Sequence, residues 1–300
     1  MTLELCRTAA EFRAACEKVR GSGGTLGLVP TMGALHVGHT ALIEAARKLT
    51  SSVAVTIFVN PTQFGPNEDF ERYPRDLERD LEKCRSAGAS IVFSPSVQQM
   101  YAEGERTRVR VSELGDALCG ASRPGHFEGV ATIVCKLFAI AGPCSAVFGR
   151  KDYQQLKIIL RMTRDLMLPI RIVDHPTVRE PDGLALSSRN AYLSPDERQR
   201  ALAIPRALSH AVEGFAAGER RVGTLREPVA RALEQAGLGV DYVTLAEPEQ
   251  LTPFSDSAVL EARGLLALAA FAGPTRLIDN VVLGEDPAPL ASRGAMASES

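Results

Sequence analysis

Short apolar runs typical of β-strands alternate with helical patterns through the first two-thirds of this 300-residue chain. The runs lie at residues 25–30, 53–60, 90–94, 146–149 and 169–174, and the helical patterns at 38–49, 76–87, 127–141 and 152–167. Apolar strands joined by helices are typical of a parallel sheet that is buried on both faces. The sequence therefore predicts an α/β fold, a Rossmann-like parallel sheet with helices on both faces. Its ligand site is expected beyond the carboxyl ends of the strands.

Two capping patterns and a change of composition suggest the domain organisation. Thr8 and Glu11 form a capping-box pattern that predicts a helix to about residue 20. Beyond residue 176 a polar loop leads to Ser194-Pro195-Asp196-Glu197, which predicts the start of a long helix. A second helix near 225–236 and several short strands follow. We expect a first domain at 1–176, a smaller α+β domain at 177–283, and a disordered tail at 284–300.

Composition excludes several classes of partner. The net charge of −2 and the pI of about 6.3 lack the basic field that nucleic-acid binding normally requires. No segment is long and apolar enough to span a bilayer, and the N-terminus does not resemble a signal peptide. The six cysteines include no CxxC pair, which favours free thiols in a reducing compartment. We expect a cytoplasmic protein with neither a nucleic-acid nor a membrane partner.

The segment PTMGALHVGH, residues 30–39, runs from a strand end through a glycine-containing loop into a helix. Unpaired amides at a helix start attract phosphate, and Gly33 and Gly38 allow close approach of a ligand. His36 and His39 are three residues apart, so one turn places both on one side, where they could donate to phosphate oxygens. A metal-binding pair and a purely structural turn are the alternatives, although no third metal ligand is nearby in the sequence.

Two further segments combine polar side chains with an expected strand end or helix start. In FVNPTQF, Asn60 and Gln63 each offer an amide donor and acceptor suited to a hydroxylated acid and its amine partner. In RPGHFEGV, Arg123 and His126 could face an anion. A turn in the first case, and a solvated arginine before a helix in the second, are the structural alternatives.

Two later segments have the same character. In GRKDYQQL, Lys151 could reach a phosphate, Asp152 could cap the helix or hold Mg²⁺ through water, and Gln155 lies one turn further on. In LSSRN, two hydroxyls and the guanidinium of Arg189 could surround a triphosphate. The alternatives are a capped helix with exposed charges and a polar hinge.

Residues 30–39 resemble the HxGH signature of the nucleotidyltransferase superfamily. Together with FVNPTQF, GRKDYQQL and LSSRN they resemble the pantoate–β-alanine ligase (pantothenate synthetase) family, over about residues 25–283. The resemblance implies ATP-dependent condensation of (R)-pantoate with β-alanine through a pantoyl-adenylate, with release of AMP and pyrophosphate. It also implies Mg²⁺ with ATP and a homodimer. Because an adenylate would hydrolyse if water had access, we expect the smaller domain to act as a lid.

The resemblance also assigns roles to residues. It implies that both histidines act on ATP and that His39 is a catalytic proton donor. From the chemistry of their side chains, we expect His36, His39, Lys151 and Arg189 to stabilise negative charge. Binding of ATP is assigned to Met32, Gly33, Ala34, Leu35, His36, Val37, Gly38, His39, Gly149, Arg150, Lys151, Asp152, Val178, Leu186, Ser187, Ser188 and Arg189. Binding of pantoate is assigned to Asn60, Gln63, Arg123 and Gln155, with Gln63 also contacting β-alanine and Asp152 a candidate for Mg²⁺.

Arg150 departs from the family pattern, which usually has Glu at this position, and it reverses a charge beside Lys151. Three other functions are compatible with parts of the sequence. A nucleotidylyltransferase acting on a phosphate ester shares HxGH, but the Gln63 and Gln155 amides suit a phosphate acceptor poorly. An inactive nucleotide-binding regulatory module is supported only by Arg150. A tRNA-binding synthetase fragment would need a basic face and an anticodon-binding extension.

Overall fold

The computed structural model describes residues 3–66 and 68–290. The chain forms two compact units: Met1–Asp116 with Arg123–Pro176, and Ala117–Ser122 with Thr177–Ser300. Residues 117–122, which the sequence analysis placed in the first domain, therefore group with the second unit. Within the tail expected at 284–300, residues 284–290 form turns, and the Leu290 N–H donates to Ser209 Oγ at 2.9 Å. The remainder of that tail, 291–300, lies outside the described residues.

The strands of the described residues are β1 Glu4–Cys6, β2 Leu26–Thr31, β3 Ser52–Ile57, β4 Ile91–Phe93, β5 Cys144–Gly149, β6 Ile170–His175, β7 Gly239–Ala246, β8 Gly264–Ala272 and β9 Thr275–Leu283. The helices are α1 Ala9–Gly21, α2 Val37–Leu49, α3 Leu77–Ala87, α4 Val97–Met100, α5 Cys119–Ser122, α6 His126–Ala141, α7 Tyr153–Asp165, α8 Pro195–Ala201, α9 Ala203–Ala216 and α10 Val222–Gln235. Short 3₁₀ turns occupy Pro61–Gln63, Arg150–Asp152 and Ser188–Tyr192.

The first unit contains a six-stranded parallel sheet in the order β1-β4-β3-β2-β5-β6. Its strands are apolar because helices cover them; Val29, Val55, Val92 and Val147 are fully buried in one cluster with Ile43 of α2. The α/β prediction is confirmed. From β2 the chain winds outward through β3 and β4 on one side and through β5 and β6 on the other. The topological switch point therefore lies between β2 and β5, where parallel sheets usually bind ligands.

Local sequence signals place the helix starts of the first unit well. The Thr8 side chain accepts from the Glu11 N–H, and the Glu11 carboxylate accepts from the Thr8 N–H, so the predicted capping box is confirmed. Asp76 likewise caps α3 by accepting from the Arg79 N–H. The strand predicted at 53–60 was too long at its end. It stops at Ile57, because Pro61 cannot donate to a strand ladder and Asn60 caps the 3₁₀ turn.

The second unit combines a three-stranded antiparallel sheet, in the order β7-β8-β9, with α8, α9 and α10. Leu208 and Leu233 from the helices pack in one core with Leu266 and Leu268 of β8, and all four are fully buried. The capping box at Ser194 and Glu197 is confirmed. The single long helix predicted after it is two helices, α8 and α9, which are separated at Leu202.

Two further expectations from the sequence concern the cysteines and membrane-spanning helices. All six cysteines are free, four of them buried and two partly buried, as predicted. Burial raises the pKa of the Cys16 and Cys84 thiols to about 12, so these thiols are poor nucleophiles. Among the helices of residues 3–66 and 68–290, none is both long and apolar enough to cross a membrane.

Candidate functional site

Three of the sequence segments meet because their strands are neighbours. β2 pairs with β3 so that Thr31 lies opposite Ile57, and it pairs on its other side with β5. The loops that leave β2, β3 and β5 therefore start at the same edge of the sheet, at the switch point. These loops bring His36 and His39, Asn60 and Gln63, and Lys151 to the same edge.

The two histidines pack against each other at the start of α2. Their ring centroids are 4.1 Å apart, which confirms that they share one side of the turn. His36 is the N-cap residue, and its Nδ1 accepts from the Gly38 N–H at 3.1 Å. His39 Nδ1 accepts from the His36 N–H at 3.3 Å. A ring nitrogen that accepts carries no proton, so in the neutral form of each ring Nε2 is the donor.

The environment of His39 disfavours its protonated form. Burial, the neighbouring His36 ring, and the positive charges of Lys151 and Lys83 lower the pKa of His39 to about 3. Within the described part of the chain no group forms a hydrogen bond with His39 Nε2. In the ligand-free protein His39 is therefore a neutral donor.

The backbone N–H groups of Gly33, Ala34 and Leu35, in the loop before α2, have acceptors within the protein. The Gly33 N–H donates to Thr31 Oγ1 at 3.2 Å, and the Ala34 and Leu35 N–H groups donate to the carboxylate of Asp80 at 2.9 and 2.8 Å. Gly33 has a φ of 85°, which favours glycine at this position. The sequence analysis considered the amides at the start of α2 for phosphate, and that role stays a prediction. Asp80 lies 45 residues from Leu35 in sequence, and no local pattern identified it.

Asn60 and Gln63 form a buried pair. Asn60 Nδ2 donates to Gln63 Oε1 at 3.0 Å and to the Gly129 carbonyl at 3.1 Å. Gln63 Nε2 contacts Met32 Sδ at 3.0 Å, which links this turn to the β2 loop. A Cβ on Gly129 would lie 2.4 Å from the Thr62 carbonyl oxygen, so α6 can approach the turn this closely only with glycine. Both Asn60 amide hydrogens are used inside the protein, and its role is to orient Gln63.

Tyr101 supports the Asn60–Gln63 pair, and no pattern in the sequence indicated this contact. Its hydroxyl donates to Asn60 Oδ1 at 2.7 Å and lies 3.0 Å from Thr62 Oγ1. The ammonium group of Lys136 lies over the Tyr101 ring, 4.5 Å from its centroid, and forms a 2.5 Å ion pair with Glu105. No spacing in the sequence connects these residues to Asn60, which is why the support was missed.

Arg123 and His126 brace the same turn. Arg123 forms a bidentate ion pair with Glu68, at 2.6 and 2.5 Å, and donates to the Gln63 carbonyl at 3.2 Å. His126 Nδ1 donates to that carbonyl at 2.7 Å, while its Nε2 accepts from Arg123 at 3.0 Å. The pantoate role expected for Arg123 must therefore compete with a strong internal partner. The structure supports a role in holding Gln63.

The burial of His126 in these contacts makes the free energy of unfolding depend on pH. Burial and the Arg123 charge lower the pKa of His126 to about 4, against 6.5 for an ordinary histidine. Between these values the unfolded chain binds more protons, so the free energy of unfolding falls as pH drops from 6.5 towards 4. We expect His126→Gln to remove up to about 1.4 kcal/mol per pH unit of this slope in urea unfolding. The two curves should run parallel above pH 7, and equal slopes at acid pH would contradict the account.

The loop after β5 carries the cationic side of the site. Lys151 lies in the 3₁₀ turn, its side chain 19% exposed, with its ammonium group 3.8 Å from an Asp152 oxygen. Asp152 makes no side-chain cap on α7, so the capping role predicted for it is wrong. Gln155 is partly exposed, and its side chain makes no hydrogen bond within the described residues. Its neighbour Gln154 is buried and donates to the Leu114 carbonyl at 2.8 Å.

Arg150 is largely buried and lies near Asp174 and Tyr153. Its side chain is 14% exposed, with the guanidinium 3.8 Å from the Asp174 carboxylate and 5.9 Å from the centre of the Tyr153 ring. The positive charge at this position is therefore partly balanced by Asp174 at the end of β6.

In the second unit, the LSSRN segment forms an ordered loop. The Leu186 N–H donates to the Val178 carbonyl at 3.0 Å, so these two residues lie side by side. Val178 follows β6 and is not part of it. Ser187 Oγ accepts from the Arg189 N–H at 3.2 Å. Asn190 donates to Glu180 at 2.8 Å and to the Ala185 carbonyl, which fixes the base of the loop.

The metal-pair alternative for His36 and His39 finds no support. In the residues that the structure describes, no group of three or more His, Cys, Asp or Glu side chains is arranged to hold a metal ion. The Nδ1 atoms of both rings are also used by backbone N–H groups.

Comparison with known proteins gives one consistent result. The family model described as Pantoate-beta-alanine ligase matches residues 4–282. A pantothenate synthetase of Myxococcus xanthus is 52% identical over 285 residues, which cover 95% of this chain and 97% of that protein. The crystal structure of pantothenate synthetase from Thermus thermophilus is similar with a TM-score of 0.86 and 46% identity, covering 93% of this chain and 99% of that one.

A third similar protein was solved with ligands. It is the pantoate-beta-alanine ligase from Francisella tularensis, described as complexed with beta-gamma ATP and beta-alanine. It is 32% identical to this chain, with a TM-score of 0.78, and the match covers 95% of this chain and all of that one.

Proposed function

Since this chain belongs to the pantoate-beta-alanine ligase family, we propose that His36, His39, Lys151 and Gln63 carry out the ligation at the β2–β5 switch point. The chain catalyses ATP-dependent condensation of pantoate with β-alanine. The observation that carries the site proposal is the convergence of His36, His39 and Lys151 with Gln63 at one sheet edge.

The first step activates the acid. A pantoate carboxylate oxygen attacks the α-phosphorus of ATP, the bond to the bridging oxygen breaks, and pyrophosphate leaves. Negative charge on the phosphoryl oxygens rises in the transition state, and preorganised donors stabilise it. His39 Nε2–H and the Lys151 ammonium group are suited to this task. A carboxylate nucleophile needs no base, so a neutral His39 is chemically sufficient.

The second step forms the amide bond. The amine of β-alanine attacks the acyl carbonyl of pantoyl-adenylate, the C–O bond to AMP breaks, and the amine loses a proton. Gln63 is proposed to orient both substrates, because its amide is held by Asn60 and can exchange its weak Met32 contact for a ligand. Arg123 and Asn60 act by positioning Gln63.

Mg²⁺ fits this site through one side chain. Asp152 is 48% exposed and is not used as a helix cap, and Mg²⁺ is commonly bound by one or two carboxylates together with substrate phosphates. When bound with ATP, the ion would neutralise phosphate charge.

We further propose that Val178 and the Leu186–Arg189 loop bind ATP, and that the smaller unit acts as a lid that excludes water from the adenylate. Ser187 and Ser188 would add hydroxyl donors to the Arg189 charge. We also propose that the protein is a homodimer. A cytoplasmic location completes the proposal, and the free thiols favour that location. Scattering profiles that do not change on addition of ATP and pantoate would contradict closure.

The test of the proposed function is a partial reaction. With ATP, Mg²⁺ and pantoate but no β-alanine, purified protein should release pyrophosphate in an amount close to one per site, because the adenylate stays bound. Addition of β-alanine should start turnover and give AMP and pantothenate. Release that ignores pantoate, or a product that retains the nucleotide, would contradict the proposal and favour a nucleotidylyltransferase.

Gln155 gives a second test. Replacing Gln155 with alanine should raise the KM for pantoate by about 10- to 150-fold, the effect of losing one hydrogen bond to a charged ligand, and leave the KM for ATP nearly unchanged. Gln99→Ala, which removes an exposed amide on α4, is the matched control. An unchanged KM for pantoate would remove Gln155 from the pantoate site.

A further inference from the structure

Asp80 is a buried carboxylate outside every motif that pointed to the site. It lies on α3 and is 2% exposed. One carboxylate oxygen accepts from the Ala34 N–H and the other from the Leu35 N–H. Ala34 has a φ of 50°, a left-handed conformation that is uncommon for a residue with a side chain. The two hydrogen bonds that these N–H groups donate to one carboxylate hold the backbone in this conformation.

The same face of α3 also contacts the backbone carbonyl of Leu35. Lys83, three residues after Asp80, donates from Nζ to the Leu35 carbonyl. α3 therefore clamps Leu35 at both of its backbone polar groups. Asp80 accepts from the Leu35 N–H, and Lys83 donates to the Leu35 C=O. Residues three apart on a helix lie on one face, which makes this double contact possible.

The clamp is connected to the reacting group. His36 follows Leu35 directly, and its N–H donates to His39 Nδ1. That hydrogen bond defines the tautomer in which His39 Nε2 is the donor. A shift of Leu35 moves the His36 N–H and releases the ring that it holds. We propose that Asp80 is a positioning residue, which sets the tautomer and direction of the His39 imidazole by fixing Ala34 and Leu35.

This inference rests on the proposed function for its rate effect, but not for its structural effect. Asp80→Asn keeps the side-chain shape and leaves only one acceptor oxygen, so an amide N–H₂ faces a backbone N–H. We expect the rate of pantoate-dependent pyrophosphate release to fall by about 100-fold at saturating ATP and pantoate, the scale of a misplaced catalytic group. In ¹⁵N-histidine NMR, the His39 signal should change from a single Nε2–H tautomer to a mixture.

The matched control is Asp241→Asn, which removes a carboxylate that is 19% exposed and paired with Arg276 at 2.7 Å in the second unit. It should keep the rate within about twofold and leave the His39 signal unchanged. A folded Asp80→Asn protein with the wild-type rate and a wild-type His39 signal would overturn the proposal.

The experiment separates a failure of the variant to fold from a failure of the proposed function. If Asp80→Asn does not fold, Asp80→Ser, which also removes the charge and one acceptor oxygen, takes its place, and a wild-type rate with a wild-type His39 signal in that folded variant would overturn the proposal. If the wild-type protein releases no pyrophosphate, the proposed function fails, and the NMR comparison still decides the role of Asp80.

Discussion

Replacing His39 with alanine lowers the rate of pantoate-dependent pyrophosphate release by about 100- to 1,000-fold, while the protein keeps its fold. The expected loss is large because His39 Nε2–H is a fixed donor in a partly buried site. It has no competing partner in the described residues and is oriented by the His36 N–H. Single-turnover release of pyrophosphate measures the effect on the chemical step.

A second variant distinguishes how His39 acts. Glutamine can donate a neutral hydrogen bond but cannot deliver a proton at neutral pH, so His39→Gln should retain more activity than His39→Ala. His210→Ala, an exposed histidine on α9, is the control and should match the wild type. Equal rates for the glutamine and alanine variants would favour a proton donor, and near-normal release by both would remove His39 from the mechanism.

Replacing Lys151 with alanine should also reduce pyrophosphate release by about 100- to 1,000-fold, because it removes a cation from the expected position of the phosphates. The same change has a second consequence in the absence of ATP. The Lys151 charge helps to lower the pKa of His39, so its removal should raise that pKa from about 3. NMR titration of the imidazole measures this shift directly.

Lys18→Ala, which removes an exposed lysine from the last turn of α1, is the control for loss of one positive charge. Its rate and the pKa of His39 should both stay at the wild-type values. A Lys151→Ala protein with a lower rate but an unchanged His39 pKa would place Lys151 away from the histidine pair.

Much of the fold and the outline of the site could be predicted because both depend on local patterns. The apolar runs of β2, β3 and β5 gave a parallel sheet, and parallel neighbours gave a common edge for their loops. Caps at Thr8 and Ser194 have side-chain signatures within four residues, so sequence alone locates them. β1 was missed because three residues at a sheet edge carry too little periodicity.

The parts that failed depend on residues far apart in the chain. The Asp80 carboxylate, 45 residues from Leu35, accepts from the Ala34 and Leu35 N–H groups and fixes the loop before α2. Tyr101, 41 residues from Asn60, fixes the amide that orients Gln63. The neutral state of His39 depends on burial and on Lys83 and Lys151, which come together only in the folded chain. Hydrophobic periodicity contains no information on such pairs.

The most direct test of the central claim follows an oxygen atom from the acid to the nucleotide. If a pantoate carboxylate oxygen attacks the α-phosphorus beside the paired imidazoles, pantoate labelled with ¹⁸O in its carboxylate must pass one labelled oxygen to AMP during turnover with β-alanine. Mass spectrometry of the AMP should therefore show a single ¹⁸O in its phosphate. Unlabelled AMP, formed at the same rate as pantothenate, would contradict the account.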